Sequence, residues 1–449
     1  MSEIHLAKQI IIVGLGTTGL SCAQYFTAVN QPFSVMDEVL SLNELTDKTQ
    51  GLLVRSLFQV TDFDRVQFDD DTILVVSPGV NLNKSFIKKA IQLGARITSD
   101  IEIFNSKINT PIIAVTGTNG KSTVVTLLTH VLSSLNYKVV LAGNIGIPVL
   151  SQLDKANDAD FVVLELSSFQ LDLYENLRPL VGVFLNISED HLERYVHFTD
   201  YLNAKQKIFN HARAAVYCED DLLTYPKKAL KKLSFGLSRE ADFYLAGAAN
   251  QQALYYRDTE LMTVESLPLT GKHNLLNVLA VLACCKALTL DLKSTFKALQ
   301  SFSGLPHRCQ VVTEIDDVLF INDSKGTNPG ACLAALHGFG DERKKRIILI
   351  AGGLSKNSDF SILSSSVERL VKQVLVFGKA AGELIASLPN NTVAVNDLQE
   401  AILKAKACAT KGDIILFSPA CASFDMFDNY QHRGEVFQQL VLASREGLQ

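Results

Sequence analysis

The sequence has no unbroken stretch of about 18 uncharged apolar residues, so nothing in it predicts a membrane span. It also lacks an excess of positive charge. Its 42 lysines and arginines against 47 acids give a formal net charge of −5, which withholds the basic footprint of a nucleic-acid-binding protein. Eight cysteines are scattered without a CxxC pair, with Cys284 and Cys285 adjacent in a helical stretch. That usage excludes a disulfide framework or a zinc site and fits buried thiols in a reducing compartment. No repeat or low-complexity linker interrupts the chain, and Met1-Ser2-Glu3-Ile4-His5 runs almost directly into a strand without a signal-peptide pattern. The expectation is a cytoplasmic globular protein with neither a nucleic-acid nor a membrane partner.

What is present is a long chain with ample core. At 449 residues, 47% hydrophobic and 20% charged, it exceeds the roughly 250 residues one core supports, so two or three domains are expected. Short apolar strands alternate with helical patterns, which predicts parallel sheets covered by helices. A first block opens with Gln9-Ile10-Ile11-Ile12-Val13, has strands near 34–37 and 73–76, and ends around Ser99. A second holds strands near 112–115, 139–142, 161–166 and 181–186 and closes after a helix over about 274–288. A third begins near Leu305, with strands near 318–321, 347–351, 373–377 and 413–417. The expected domain limits are 1–99, 100–304 and 305–449.

The most specific stretch is Thr116-Gly117-Thr118-Asn119-Gly120-Lys121-Ser122-Thr123, between the apolar run Ile112–Val115 and a helical pattern over 124–135. Strand, glycine turn, Lys-Ser-Thr and helix, in that order, describe a phosphate cradle: backbone N–H groups and the helix dipole attract an anion. Lys121 would reach the outer phosphates and the Ser122 hydroxyl would hold Mg²⁺. Val115 stands where the full Walker spacing has glycine, so the loop is a shortened version.

Gly14-Leu15-Gly16-Thr17-Thr18-Gly19 follows the first strand and Asp37 ends the next, which fits a diphosphate-binding turn with its carboxylate about twenty residues on. A nicotinamide oxidoreductase is one reading of this block; a tight strand-to-helix turn without ligand is another. Ser77-Pro78-Gly79 lies at the same carboxyl edge. Glu165 follows an apolar strand opposite the phosphate loop, where a Mg²⁺ ligand belongs. His191, after Glu189 and Asp190, could ligate metal or cap a helix, and Lys205 sits on a helical pattern where most lysines are solvated. Asn274 and Asn277, three apart near a helix start, could cap it or reach a base. Arg308 and Asp323 suit phosphate and ribose or metal, or else form a structural ion pair.

Together these residues resemble the Mur ligase family over essentially the full length. Thr116–Thr123 carries the family mark. Gly143-Asn144-Ile145-Gly146, Leu164-Glu165-Leu166-Ser167-Ser168-Phe169-Gln170, Asn186-Ile187-Ser188-Glu189-Asp190-His191 and Ser418-Pro419-Ala420-Cys421-Ala422-Ser423-Phe424-Asp425, with Arg433-Gly434 after it, are similar to the branch that adds D-glutamate. The resemblance implies an α/β fold of three domains: a Rossmann-like N-terminal domain, a central sheet of the P-loop ATPase type and a Rossmann-like C-terminal domain. It implies ATP-dependent amide formation on UDP-N-acetylmuramoyl-L-alanine through an acyl phosphate, by a cytoplasmic monomer. Gly14, Leu15, Gly16, Thr17, Thr18, Gly19, Asp37, Ser77, Pro78 and Gly79 would take the UDP part, with no nicotinamide. Gly117, Thr118, Asn119, Gly120, Lys121, Ser122, Thr123, Asn274, Asn277, Arg308 and Asp323 would bind ATP. Ser122 and Glu165 would hold one Mg²⁺ and His191 a second, and Lys205 matches a lysine carbamylated by CO₂ at that metal site. Lys121, Asn144, His191 and Lys205 would be catalytic, while Lys325, Thr327, Lys356, Ser423 and Tyr430 would receive D-glutamate. Two departures stand out. Glu38-Val39 follows Asp37 where relatives often carry Thr-Arg, and no acid precedes Lys356 in Gly352-Gly353-Leu354-Ser355-Lys356. Another amino-acid-adding ligase of the superfamily, a folate polyglutamate synthetase or a non-catalytic nucleotide-binding regulator are the alternatives.

Overall fold

A computed structural model describes residues 9–37, 66–173, 176–190, 194–195, 197–227, 231–248, 251–269, 271–302, 304–341, 343–355 and 358–446. The described chain forms two compact units, one of residues 1–264 with 277–300, the other of 265–276 with 301–449.

The first unit contains two sheets. The smaller, in order β2-β1-β3-β4, is all parallel: β1 Gln9–Val13, β2 Ser34–Met36, β3 Thr72–Val76 and β4 Arg96–Thr98. Strand β1 reads as continuous aliphatics because both its faces are covered. Ile10 and Ile12 point into one apolar cluster with Phe26 and Phe104, whereas Ile11 and Val13 join Leu74, Val76 and Phe86 on the other face. The first of these clusters continues into the second sheet through Ile112, Ala114, Val162 and Leu164. One core therefore serves both sheets.

The larger sheet has the order β13-β12-β11-β10-β9-β8-β5-β7-β6. Its strands are β5 Ile112–Thr116, β6 Val139–Gly143, β7 Phe161–Glu165, β8 Val181–Phe184, β9 Ala214–Cys218, β10 Lys231–Phe235, β11 Phe243–Ala246, β12 Ala253–Tyr256 and β13 Thr259–Thr263. Strands β6 to β11 pair in parallel, but β11–β12 and β12–β13 are antiparallel. The sequence reading of parallel sheets covers the centre and misses this edge. Strand β10 begins on two lysines and β13 is mostly exposed, so neither shows the aliphatic run of a buried strand.

The second unit holds the sheet β14-β15-β19-β16-β17-β18, with β14 Gln310–Ile315, β15 Val318–Asn322, β16 Ile347–Gly352, β17 Val371–Phe377, β18 Thr392–Ala394 and β19 Ile414–Phe417. Only β14 runs antiparallel. Alternate residues of β16 again feed two cores: Ile347, Leu349 and Ala351 on one face, Ile348 and Ile350 on the other.

Within this unit His273 packs against Gly271 and Gly338, and its Nδ1 is buried with no partner among the described residues. Burial pulls its pKa from 6.5 down to about 4. Between those values the unfolded chain binds the extra proton, so the folded state loses stability as pH falls through that window. Urea unfolding of wild type and His273→Gln at pH 7 and pH 4 is expected to show a larger loss in the wild type, by up to about 3 kcal/mol. Carboxyl groups common to both proteins cancel in that difference; equal losses would refute the assignment.

Candidate functional site

Three strand ends create the centre of the site. Strand β7 lies between β5 and β6, with Val115 opposite Glu165 and Glu165 opposite Gly143. The turn after β5, the last residue of β7 and the turn after β6 therefore meet at one carboxyl edge, where ligands of open α/β sheets sit.

Gly117–Gly120 is the turn after β5, and the helix Lys121–Ser134 begins directly behind it. Gly120 caps that helix at φ +83°, a left-handed conformation that favours glycine, and a Cβ there would press on Asn277 Oδ1 at 2.5 Å. Asn186, just beyond β8, clasps the turn from both sides: its Oδ1 accepts from Asn119 N at 2.9 Å and its Nδ2 donates to Asn119 O at 3.1 Å. Thr118 shares a hydrogen bond with Tyr201 Oη at 3.0 Å and accepts one from Ser188 N at 3.1 Å. Ser122 and Thr123 are buried in the first helical turn. The turn is thus fixed by Asn186 and Ser188 of the segment after β8 and by Tyr201 of the helix Phe198–Gln206.

Lys121 Nζ donates to Gly117 O and Thr118 O, each at 2.8 Å. Lys205 Nζ donates to the same Gly117 O at 2.8 Å and lies 4.8 Å from the centre of the Tyr201 ring. The helical pattern by itself would leave Lys205 solvated; the structure leaves it 2% exposed. Burial drives its pKa well below the lysine norm, and the nearby charge of Lys121 pushes the same way, against weaker support from Asp190 and Glu165. The neutral amine is therefore unusually accessible at this position.

Glu165 is equally buried and is not the surface acid its strand-end position allowed. Its Oε1 accepts from Asn144 Nδ2 at 2.9 Å, while Oε2 is buried without a partner among the described residues. Asn144 N donates to Glu165 O at 2.8 Å, and Gly143, at φ +104°, has no room for a Cβ against that same carbonyl. Buried, hard carboxylate oxygen beside a phosphate turn fits a divalent cation such as Mg²⁺. His191 lies outside the described residues.

A cavity of about 580 Å³ opens beside this centre, lined by Gly14, Leu15, Gly16, Thr17, Thr18, Asp37, Ser77, Pro78, Gly79, Asp100, Asn144 and Gln170, among others. Asn144 belongs to both places, since it faces the cavity and holds Glu165. Gly14 adopts φ +87° and Gly19 packs against Gly14 O with no room for a Cβ, whereas the same position on Gly16 is open. First and third glycines thus shape the turn, and the middle one leaves an approach for a ligand. Asp37 accepts from Leu15 N at 2.6 Å, so it braces this turn as well as lining the cavity.

The second unit gathers its own candidates. Asp323, beyond β15, accepts from Ser418 Oγ at 2.6 Å and from Cys309 N at 3.2 Å, and burial lifts its pKa to about 6. Arg308 contributes to its charge environment. Lys325 Nζ sits 3.8 Å from the centre of the Tyr430 ring, and Ser423 is buried next to Ala422, which forms an isolated antiparallel bridge with Leu354. Thr327 follows the same turn as Lys325, its N–H bonded to Lys325 O at 2.8 Å. Lys356 lies outside the described residues. Asn274 and Asn277 fall inside the helix Lys272–Ala287 and not before it, which removes the capping alternative.

Sequence reasoning gave no role to several residues. Arg433 is fully buried yet faces carbonyls and a hydroxyl: it donates to Ser324 Oγ, Ser324 O, Cys421 O and Ala422 O at 2.7–3.2 Å. It ties the turn after β15 to the segment after β19. Tyr201, four residues before Lys205 on one helix, shares its face and was visible only by that spacing. Asn186 opened the stretch 186–191 without a role of its own, and Asp100 carried no motif.

Three adjoining stretches match family models described as "Mur ligase MurD-like, N-terminal domain" over residues 8–99, "Mur ligase middle domain" over 115–285 and "Mur ligase, glutamate ligase domain" over 307–421. The chain is 41% identical over 442 residues to the UDP-N-acetylmuramoylalanine–D-glutamate ligase of Coxiella burnetii, covering 96% of this chain and 98% of that one. It is 40% identical, over the same shares, to the protein of that name from Legionella pneumophila. Among solved structures, MurF ligase from Thermotoga maritima in complex with ADP shares the fold at a TM-score of 0.61 and 18% identity, over 99% of this chain and 100% of that one. UDP-N-acetylmuramate-alanine ligase from the same organism does so at 0.59 and 21%, over 97% and 99%. Matches that run in order along almost the whole length, onto this arrangement of strand ends, establish that the chain belongs to the Mur ligase family.

Proposed function

We propose that this protein uses ATP to join D-glutamate to the L-alanine carboxylate of UDP-N-acetylmuramoyl-L-alanine, in the cytoplasmic synthesis of a peptidoglycan precursor. The observation that carries the reading is the coincidence of full-length relatives bearing that name with a centre where Lys121, Lys205 and Glu165 surround one phosphate turn. The blocks 1–99, 100–304 and 305–449 then take the UDP part, ATP and D-glutamate respectively. Lys325, Thr327, Ser423, Tyr430 and Lys356 are assigned to D-glutamate; Asn274, Asn277, Arg308 and Asp323 to ATP.

A carboxylate is a poor acylating agent because amide formation would require expulsion of oxide. The alanine carboxylate oxygen attacks the γ-phosphorus, the bond to the β-bridging oxygen breaks, and ADP leaves. Lys121 exchanges its neutral loop carbonyls for the anionic β- and γ-phosphate oxygens, so that both partners of the bond are charged. The amine of D-glutamate, having lost its proton, adds to the acyl carbon, and the tetrahedral intermediate expels phosphate. Catalysis rests on position and electrostatics, since the turn is already rigid before phosphate arrives.

Ser122, Glu165, His191 and carbamylated Lys205 are the residues assigned to Mg²⁺, which when bound neutralises charge on the transferred phosphoryl group. Lys205 is suited to carbamylation because its neutral amine attacks CO₂, forming the N–C bond and releasing one proton. The product is an anion beside Lys121, which turns a repulsive pair into an attractive one.

Phosphate release with D-glutamate, against L-glutamate and other amino acids, tests the reading: release dependent on D-glutamate and on the UDP-linked substrate is expected. Equal release with any amino acid, or none, overturns it. Lys121→Ala is expected to lower kcat by at least about 100-fold while leaving the affinity for the UDP-linked substrate, titrated by calorimetry, unchanged. Lys205→Ala is expected to lose activity on a similar scale, with partial recovery on adding a short carboxylate such as acetate. Wild-type rates in that variant would remove Lys205 from the chemistry.

A further inference from the structure

Asp100 is the first residue of the helix Asp100–Lys107, immediately after Ser99, whose Oγ caps the helix by accepting from Glu102 N at 3.2 Å. The cap is therefore provided without it. Asp100 is 3% exposed, lines the 580 Å³ cavity together with the turn Gly14–Thr18 and Asn144, and its Oδ1 has no hydrogen-bond partner among the described residues. A buried polar atom left unpaired costs the folded state free energy, and one facing a cavity recovers it when a ligand supplies the partner.

The chemistry of the cavity narrows what that partner is. An ionised carboxylate only accepts hydrogen bonds, so it repels a diphosphate and seeks an N–H or O–H. The diphosphate already has the backbone of the glycine turn, with its open position at Gly16. Between that turn and Asn144, beside the reacting centre, lies the span a sugar and its amide-linked stem would occupy. We infer that Asp100 is a specificity-determining residue whose Oδ1 accepts a hydroxyl or amide N–H from the N-acetylmuramoyl-L-alanine part of the substrate. This rests on the ligase reading. Burial lifts the Asp100 carboxyl to about 6, offset by backbone N–H groups of its own helical turn. Neighbouring Cys22 feels its charge and offers no compensating one.

The test compares calorimetric binding of UDP-N-acetylmuramoyl-L-alanine and of UDP alone to full-length wild type, Asp100→Ala and Asp100→Asn, with melting temperatures measured alongside. For Asp100→Ala the dissociation constant of the complete substrate is expected to rise roughly 10- to 100-fold, that of UDP to stay within about twofold, and the melting temperature not to fall. Asp100→Asn keeps an acceptor of the same shape and is expected to recover most of the affinity. Parallel losses for both ligands, or a lower melting temperature in both variants, would make Asp100 a structural support and overturn the inference. So would unchanged binding of the complete substrate. Wild type that fails to bind the complete substrate would overturn the ligase reading itself, a result distinct from either.

Discussion

Two lysine nitrogens share one acceptor in this protein: Lys121 and Lys205 both donate to Gly117 O at 2.8 Å. Two ammonium groups cannot converge on a single carbonyl without mutual repulsion, and Lys205 has almost no water to screen it. Such a pair is stable only if one amine gives up its charge or if anions enter between them. The burial of Lys205 favours the first route, and the phosphate turn provides for the second. Most of the site can be read as the machinery that tolerates this juxtaposition. Glu165 and Asp190 lean their charge toward Lys205, Tyr201 presents a ring face to it, and the turn that carries the shared carbonyl is locked by Asn186 and Thr118.

The sheet order explains why so few residues suffice. Because β7 separates β5 from β6, the phosphate turn, Glu165 and Asn144 become neighbours through backbone register alone. No long-range side-chain adjustment is needed to bring them together. Asn144 then extends the arrangement sideways. Its amide holds Glu165 Oε1 while its position on the cavity wall places it where the far end of a ligand anchored at Gly14–Thr18 would arrive. The alternative in which the glycine turn holds a nicotinamide does not use this connection, and it leaves Lys121 and Lys205 without a purpose.

What the sequence made legible were features with a local signature. The phosphate turn follows from a strand, glycines and Lys-Ser-Thr in order; the first glycine turn and Glu165 follow from their places at strand ends. Features created by packing were not legible. Nothing local distinguishes Lys205 from a solvated helical lysine, because groups far away in sequence, Gly117 O and the charges of Lys121 and Glu165, make its surroundings. Arg433 likewise had only its place in Arg433-Gly434 and no role until its guanidinium is found among carbonyls of three separate segments. The edge strands β12 and β13 escaped for a related reason, since partly exposed antiparallel strands lack the aliphatic runs that marked the buried ones. The helix expected over about 274–288 begins two residues earlier, at Lys272, which places Asn274 within its first turn and not at its cap.

Buried polar groups in this protein fall into two kinds, and the difference separates scaffold from site. Asp413 accepts from Lys372 and from the backbone N–H and hydroxyl of Thr410, and Arg433 spreads its donors over several acceptors, so each is satisfied by the protein and fixes the turns it touches. Glu165 Oε2 and Asp100 Oδ1 are left wanting a partner, at a cost of about 1–3 kcal/mol each. An orphaned atom is not by itself a sign of function, since Asn391 and Glu102 also carry one away from the cavity wall. The sign lies in where the orphans stand. One is beside the phosphate turn and the other on the wall that leads to it, with Asn144 between the two environments. A fold that needed these acids only for stability would have paired them as it paired Asp413; leaving them unpaired is consistent with stability given up where ligands are to be held.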